Sequence, residues 1–190
     1  MPVTLTGRFV RLEPLTLAHI DALADVGLHP ELWTWIPTQV RTRDEMRTWV
    51  ATALADEAHG LAMPFVIIDI ASNGIIGSSR YANISTSDRR VEIGWTWITP
   101  SFQRTPANSE AKLLLLTHAF EVMGCIRVEL KTDALNQQSR RAILRLGAVE
   151  EGTFRRNRIT PSGRVRDTVY FSILDSEWPA VKARLIASLS

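Results

Sequence analysis

Val91-Glu-Ile-Gly-Trp-Thr-Trp-Ile98 reads as a strand that passes, after Pro100, through the polar turn Gln103-Arg-Thr-Pro-Ala-Asn108 into a long helix. Alternation puts Val91, Ile93, Trp95 and Trp97 on one face and Glu92, Gly94 and Thr96 on the other, so one carboxylate points away from the apolar stripe. Asn108 is placed to cap a helix through Lys112, Leu116 and Phe120 that stops at Gly124. A helix that opens at a strand end is an anion site, because its first amides lack intrahelical partners and its dipole is positive there. A second unit of the same kind follows. Ile126-Arg-Val-Glu-Leu-Lys-Thr132 leads to Asn136 as a cap, then to apolar Ala142, Ile143 and Leu146, with Gly147 as the stop. Two adjacent strand-to-helix turns describe a cleft between two strands.

Working outward, Arg8 to Pro14 reads as a first strand and Leu17 to Val26 as a helix capped by Thr16 and ended by Gly27. Glu31 to Ile36 suits a short helical turn. Thr42-Arg-Asp-Glu45 is a capping box for a helix to about Glu57. Pro64 to Ile70 and Ile75 to Ile84 form a hairpin around Ser72-Asn-Gly74. Glu150 to Ile159 and Val165 to Leu174 form another around Pro161-Ser-Gly163, followed by a helix from Asp175 whose first turn tolerates Pro179. The pattern predicts an α+β fold with a mixed sheet and helices on both faces.

The 190 residues, 45% of them hydrophobic, suffice for one sizeable core, and no linker, repeat or low-complexity tract divides them. A single domain over residues 1–190 is expected. No apolar run approaches the roughly 18 residues of a spanning helix, and the first residues lack a signal-peptide pattern, so a cytoplasmic protein is expected. The single cysteine, Cys125, fits a reducing compartment and a place in the core. A net charge of +2 does not call for nucleic acid. Four histidines, at 19, 29, 59 and 118, show no ligand spacing, and no metal is expected.

These residues together resemble the GNAT superfamily of acyl-CoA-dependent N-acetyltransferases, in the branch that includes the ribosomal-protein N-terminal acetyltransferases. The resemblance runs from Gly7-Arg-Phe-Val-Arg-Leu-Glu-Pro-Leu15 through Glu92-Ile-Gly94, Asn136-Gln-Gln-Ser139 and Arg145-Leu-Gly-Ala148 to Arg166-Asp-Thr-Val-Tyr-Phe-Ser172. It implies a mostly antiparallel sheet of about seven strands, opened by a V-shaped cofactor cleft between two central ones. Two departures touch the chemistry. Pro106 and Asn108 stand where the family's phosphate turn carries its glycines, and Ile143 stands where many members have a tyrosine.

The resemblance implies acetyl-CoA as the acyl donor and a primary amine as the acceptor, with a peptide or protein N-terminus preferred. Glu92 is then the candidate base, acting directly or through a water, and Ser139 the candidate proton donor to the departing thiol. Ser139 could equally bond an amide of its own helix turn. The cofactor would lie along Trp95, Trp97 and Ile98, where a free backbone amide would polarise the thioester oxygen. Its phosphates would meet Gln103, Arg104, Thr105, Ala107, Asn108 and Ser109, with Arg140 adding charge and Asn136 serving as cap and ligand. Pro106 removes one donor and implies a weaker hold than a glycine-rich turn. The acceptor pocket would be built by Glu31 to Val40 and Phe154 to Tyr170, with Trp33 and Trp35 as walls and Arg80 and Tyr81 as contacts on the neighbouring strand. Arg80 is alternatively an ion-pair partner of Glu92.

Five arginines, Arg155, Arg156, Arg158, Arg164 and Arg166, cluster on the last hairpin and would favour an acidic peptide, a ribosomal surface or RNA. Two other classes therefore stand beside the transferase: an acyl-CoA-binding module without efficient catalysis, and a basic ribosome- or RNA-associated interaction protein. A homodimer is compatible with the sequence.

Overall fold

The computed structural model describes residues 3–189, built as one eight-stranded sheet with helices on both faces. The elements run β1 (Leu5–Thr6), β2 (Val10–Pro14), α1 (Ile20–Gly27), α2 (Arg43–Ala58), β3 (Ala62–Asp69), β4 (Gly74–Ser85) and β5 (Arg90–Ile98). They continue with α3 (Pro106–Thr117), β6 (Arg127–Asp133), α4 (Gln137–Leu146), β7 (Val149–Ile159), β8 (Val165–Leu174) and α5 (Trp178–Leu189). Strand order is β1-β2-β3-β4-β5-β6-β8-β7, antiparallel except for β5 with β6. The eighth strand is β1, two residues paired with β2.

Local signals account for most boundaries. Thr42 and Glu45 exchange the two bonds of a capping box at the start of α2. Asn73, at φ 54°, turns the β3–β4 hairpin, and Gly163, at φ 81°, turns β7 into β8. The expected helix from Leu17 begins as a 3-10 turn, Leu17–His19, before α1, and the turn near Glu31 is a 3-10 segment, Pro30–Trp33. After α3 the helix continues as a wider π turn, His118–Val122, and closes at Gly124, φ 66°.

Two apolar layers sandwich the sheet. One side packs Val91, Ile93, Ile98 and Tyr81 against Leu115 and Leu116 of α3, Ile143 and Leu146 of α4 and Trp178 of α5. The other packs Trp97, Val66 and Ile68 against Leu23 of α1, Trp33, and Met46 and Trp49 of α2. The indoles of Trp33, Trp49 and Trp97 meet at centroid distances of 5.7 to 6.3 Å, contacts worth ~0.5–1.5 kcal/mol each beyond burial.

The expected single stripe on β5 is corrected. Ser78 pairs with Trp97 and Arg80 with Gly94, so two residues of β5 oppose one of β4, and Trp95 sits at φ 49°. This is a β-bulge, and one extra residue reverses the facing of everything after it. Val91 and Ile93 therefore face α3, whereas Trp97 crosses to the α1–α2 side and Thr96 turns toward α3.

Candidate active site

The parallel pairing of β5 with β6 covers only Arg90–Arg127, Val91–Val128 and Glu92–Glu129. Beyond it, the strand pairing of Ile93 to Ile98 is with β4 alone and that of Leu130 to Asp133 with β8 alone. The two facing edges are left with unpaired backbone groups, a wedge between the strands.

At one end of the wedge lies the start of α3. Thr105, not Asn108, is its N-cap: its hydroxyl accepts from Ala107 N at 3.3 Å and donates to Phe102 O at 2.8 Å. Pro106 occupies the first helical position, where its fixed φ suits the helix. Several expected phosphate contacts change accordingly. The Thr105 hydroxyl and the Ala107 amide are spoken for, and Ser109 is the fourth helical residue, whose amide bonds within the helix. Gln103 Nε2 donates to Ile98 O at 3.1 Å, and Arg140 pairs with Glu150 at 3.0 Å. What remains is the amide of Asn108, the backbone amides of Arg104 and Thr105, and the Arg104 side chain, exposed and unpartnered among the described residues, on a residue at φ 62°. Asn136 does cap α4, its Oδ1 accepting from Ser139 N at 3.0 Å. The Ser139 hydroxyl, half-buried, has no partner among the described residues. Ile143 packs in the core. These groups suit a cofactor with phosphates at the α3 tip and a thioester between β5 and β6: free edges, free amides and an uncommitted hydroxyl.

At the other end sits Glu92, 5% exposed. Its Oε2 accepts from Asn83 Nδ2 at 2.6 Å and from Lys131 Nζ at 2.8 Å, whereas Oε1 takes no hydrogen bond among the described residues. Its partner is therefore Lys131, not Arg80. Lys131 also lies over the Tyr170 ring, 4.7 Å from its centroid. Gly94 borders the free oxygen: a Cβ there would stand 3.1 Å from Oε1.

On the same face of the sheet a cavity of about 390 Å³ opens, lined by Pro37, Thr38 and Gln39, by Glu45, Thr48, Trp49, Thr52 and Asp56 of α2, by Arg80 and Trp95, and by Arg158 of the last hairpin. The two segments expected to form the acceptor pocket do meet: Arg166 Nη1 donates to Trp35 O at 3.3 Å, and Arg164 stands over the Trp35 ring. Trp33 is corrected to a core residue, buried with its Nε1 donating to Gly27 O at 2.8 Å. Tyr81 is likewise buried, its hydroxyl donating to Leu115 O at 2.5 Å, which leaves it no surface for an acceptor. The α2 wall was missed by the sequence reading. Its signal was present as a polar stripe, Glu45, Thr48, Thr52 and Asp56, at helical spacing around a tryptophan.

A second missed residue is Lys112. It falls in the buried stripe of α3, 6% exposed, and its Nζ donates to Thr96 Oγ1 at 2.6 Å beside the bulge. No carboxylate pairs with it among the described residues, and burial pushes its amine down to about 7. An unfolded lysine keeps its proton to about pH 10.4, so between about pH 7 and pH 10 the unfolded chain binds the extra proton and rising pH favours the fold. Stability of the wild type relative to Lys112→Met should therefore climb with a slope of up to ~1.4 kcal/mol per pH unit in that window. Urea titrations of the two proteins across it measure the difference, and parallel profiles would contradict the buried, uncompensated amine.

The comparisons with known proteins agree with this architecture. The model of the acetyltransferase (GNAT) domain family matches residues 10–149. A GCN5-related N-acetyltransferase from Brucella melitensis is 36% identical, with a TM-score of 0.92 over 99% of this chain and 86% of that one. A protein described as a "putative acetyltransferase", from T. thermophilus, is 38% identical, with a TM-score of 0.90 over 100% of this chain and 98% of that one. The Bacillus subtilis (strain 168) protein named "Putative ribosomal N-acetyltransferase YdaF" is 34% identical over 100 residues, 53% of this chain and 54% of that protein. The match thus spans about half the length of this curated relative. The chain belongs to the GNAT acetyltransferase family. No helix among the described residues is long and apolar enough to cross a membrane, and no group of three or more His, Cys, Asp or Glu among them could hold a metal ion.

Proposed function

We propose that the protein transfers an acetyl group from acetyl-CoA to a primary amine, with the α-amine of a protein N-terminus as acceptor. The observation that carries this reading is the wedge itself: two free strand edges that lead from the open amides of α3 to the free oxygen of Glu92. Acetyl-CoA supplies an activated acyl carbon on a good leaving group. The chain's residues then have four tasks. Asn108, Arg104 and Thr105 amides hold phosphate oxygens at the α3 tip. A backbone amide on the free edge of β5 between Trp95 and Trp97 polarises the thioester oxygen. Glu92 Oε1 takes the proton of the attacking amine as the C–N bond forms. Ser139 gives its proton to the sulfur as the C–S bond breaks, which asks little of it because a thiol has a reference pKa of about 8.5.

The acceptor preference follows from the amine. At pH 7, deprotonation costs about 1 kcal/mol for an α-amine of pKa about 7.7–8.0 and nearly 5 kcal/mol for a lysine of about 10.4. One carboxylate already engaged by Lys131 and Asn83 suits the easier task. The ribosomal designation of the Bacillus subtilis relative supports a protein acceptor.

Calorimetric titration with acetyl-CoA, followed by a thiol-release assay over amines and peptides, tests the reading. Saturable binding and thiol release with free N-terminal peptides, but not with N-blocked peptides containing lysine, is the expected result. Binding without release for any amine would make the chain an acyl-CoA-binding module instead, and no binding at all would remove the cofactor.

A further inference from the structure

Arg80 is the deepest charged group bordering the 390 Å³ cavity, 4% exposed, and its guanidinium makes no hydrogen bond among the described residues. It lies between two indoles, 5.0 Å from the ring centroids of Trp49 and Trp95. Asp56 Oδ2 comes no nearer than 3.7 Å to Nη1, outside hydrogen-bonding range, and the Asp56 side chain is 43% exposed. The other cavity carboxylate, Glu45, is already accepting from the Arg41 and Thr42 amides at 2.5 and 3.2 Å. Trp49 of α2, whose ring packs on the guanidinium, is also buried with its Nε1 lacking an acceptor among the described residues. Buried donors without acceptors carry a large desolvation penalty, and a guanidinium in this state matches a carboxylate in both charge and geometry.

We propose that Arg80, seated between the Trp49 and Trp95 indoles, binds a carboxylate on the acceptor, so that the preferred acceptors carry an acidic side chain within their first two residues. The assignment rests on the reading of the cleft as an amine acetyltransferase site. Its geometry fits that reading. Arg80 pairs with Gly94, and Ala82 with Glu92, so Arg80 and Glu92 are diagonal neighbours on one face, with roughly 7–8 Å between their Cα atoms. An amine at Glu92 and a carboxylate at Arg80 thus belong to one or two adjacent residues. Arg158 at the cavity rim adds charge of the same sign. Burial also pulls the Arg80 guanidinium down to about 10, with Asp56 only partly opposing it, which leaves a cation still charged at neutral pH and short of counter-charge.

The test uses matched peptides beginning Ala-Glu and Ala-Gln, and Glu-Ala and Gln-Ala, titrated into the protein in the presence of CoA, which has no acetyl group to give. Tryptophan fluorescence reports binding. The acidic member of at least one pair should bind about tenfold more tightly, as a charge-assisted fork requires. Arg80→Met, which retains the stem between the indoles, should bring the pair to within about twofold. Equal affinities in both pairs for the wild type overturn the proposal whether or not the variant folds, and so does a preference that persists in Arg80→Met. Acetylation of the same peptides is then assayed with acetyl-CoA. An acid preference without acetylation overturns the transferase reading and leaves the carboxylate site standing, whereas acetylation at equal affinities does the reverse.

Discussion

Glu92→Gln is expected to lower turnover by about 10²–10⁴-fold while acetyl-CoA affinity stays within about twofold, because general-base assistance is worth that much and the phosphate amides lie at the far end of the wedge. The substitution keeps an oxygen able to accept from Asn83 and Lys131, but it removes the basic electron pair and the charge opposite Lys131. A purely structural Glu92 makes a different prediction. In that case the variant would melt at a lower temperature yet turn over normally per folded molecule, since breaking a buried pair is mainly a stability cost. Steady-state kinetics corrected for folded fraction, with calorimetric acetyl-CoA titration, separates the two. A companion change, Gly94→Ala, crowds the free Oε1 and should reduce turnover in the same direction by a smaller factor.

The largest stability effect should come from Glu110→Ala, a loss on the order of 3–5 kcal/mol. Glu110 is buried on α3, where its two oxygens accept from the backbone amides of Arg8, Phe9 and Val10 at 2.8, 2.6 and 2.7 Å. The carboxylate thereby straps the turn between β1 and β2 onto the helix whose tip faces the cleft. Removing it strands three amides, Val10's in the core, with no nearby replacement. Gly7 is part of the same arrangement: a Cβ there would fall within the Glu110 carboxyl group, so Gly7→Ala should act in the same direction. Chemical denaturation gives the measurement, and a shift below about 1 kcal/mol would mean that these amides find other acceptors.

The strap was visible in the sequence only as two unrelated fragments, Gly7 to Leu15 and a glutamate in the second turn of α3, about a hundred positions apart. That distance marks the general boundary. The Thr42–Glu45 box, the Asn73-Gly74 turn, the Asn136 cap and the Gly147 stop each involve atoms within four residues of one another, and each was legible. The two strand-to-helix units were legible for the same reason, and their order pointed to a cleft. Reading Asn108 as the cap failed because Thr105 competes for that place three residues earlier, with Pro106 fixing the first helical φ.

The chain by itself determined which segments form the main strands, where most helices start, and that Glu92 lies on the strand leading into the start of α3. Tertiary structure alone decided which way the side chains after Gly94 face. The bulge at Trp95 is set by pairing with β4, and Arg80 stands against the displaced ring, so one inserted residue moved Trp97 into the α1–α2 layer. The same cross-strand contacts left the Arg80 guanidinium without a hydrogen-bonded partner among the described residues and gave Glu92 to Lys131, across the parallel pair. Alternation along a strand is a local rule, whereas register between strands is a property of their packing, and the chemistry of this site depends on register.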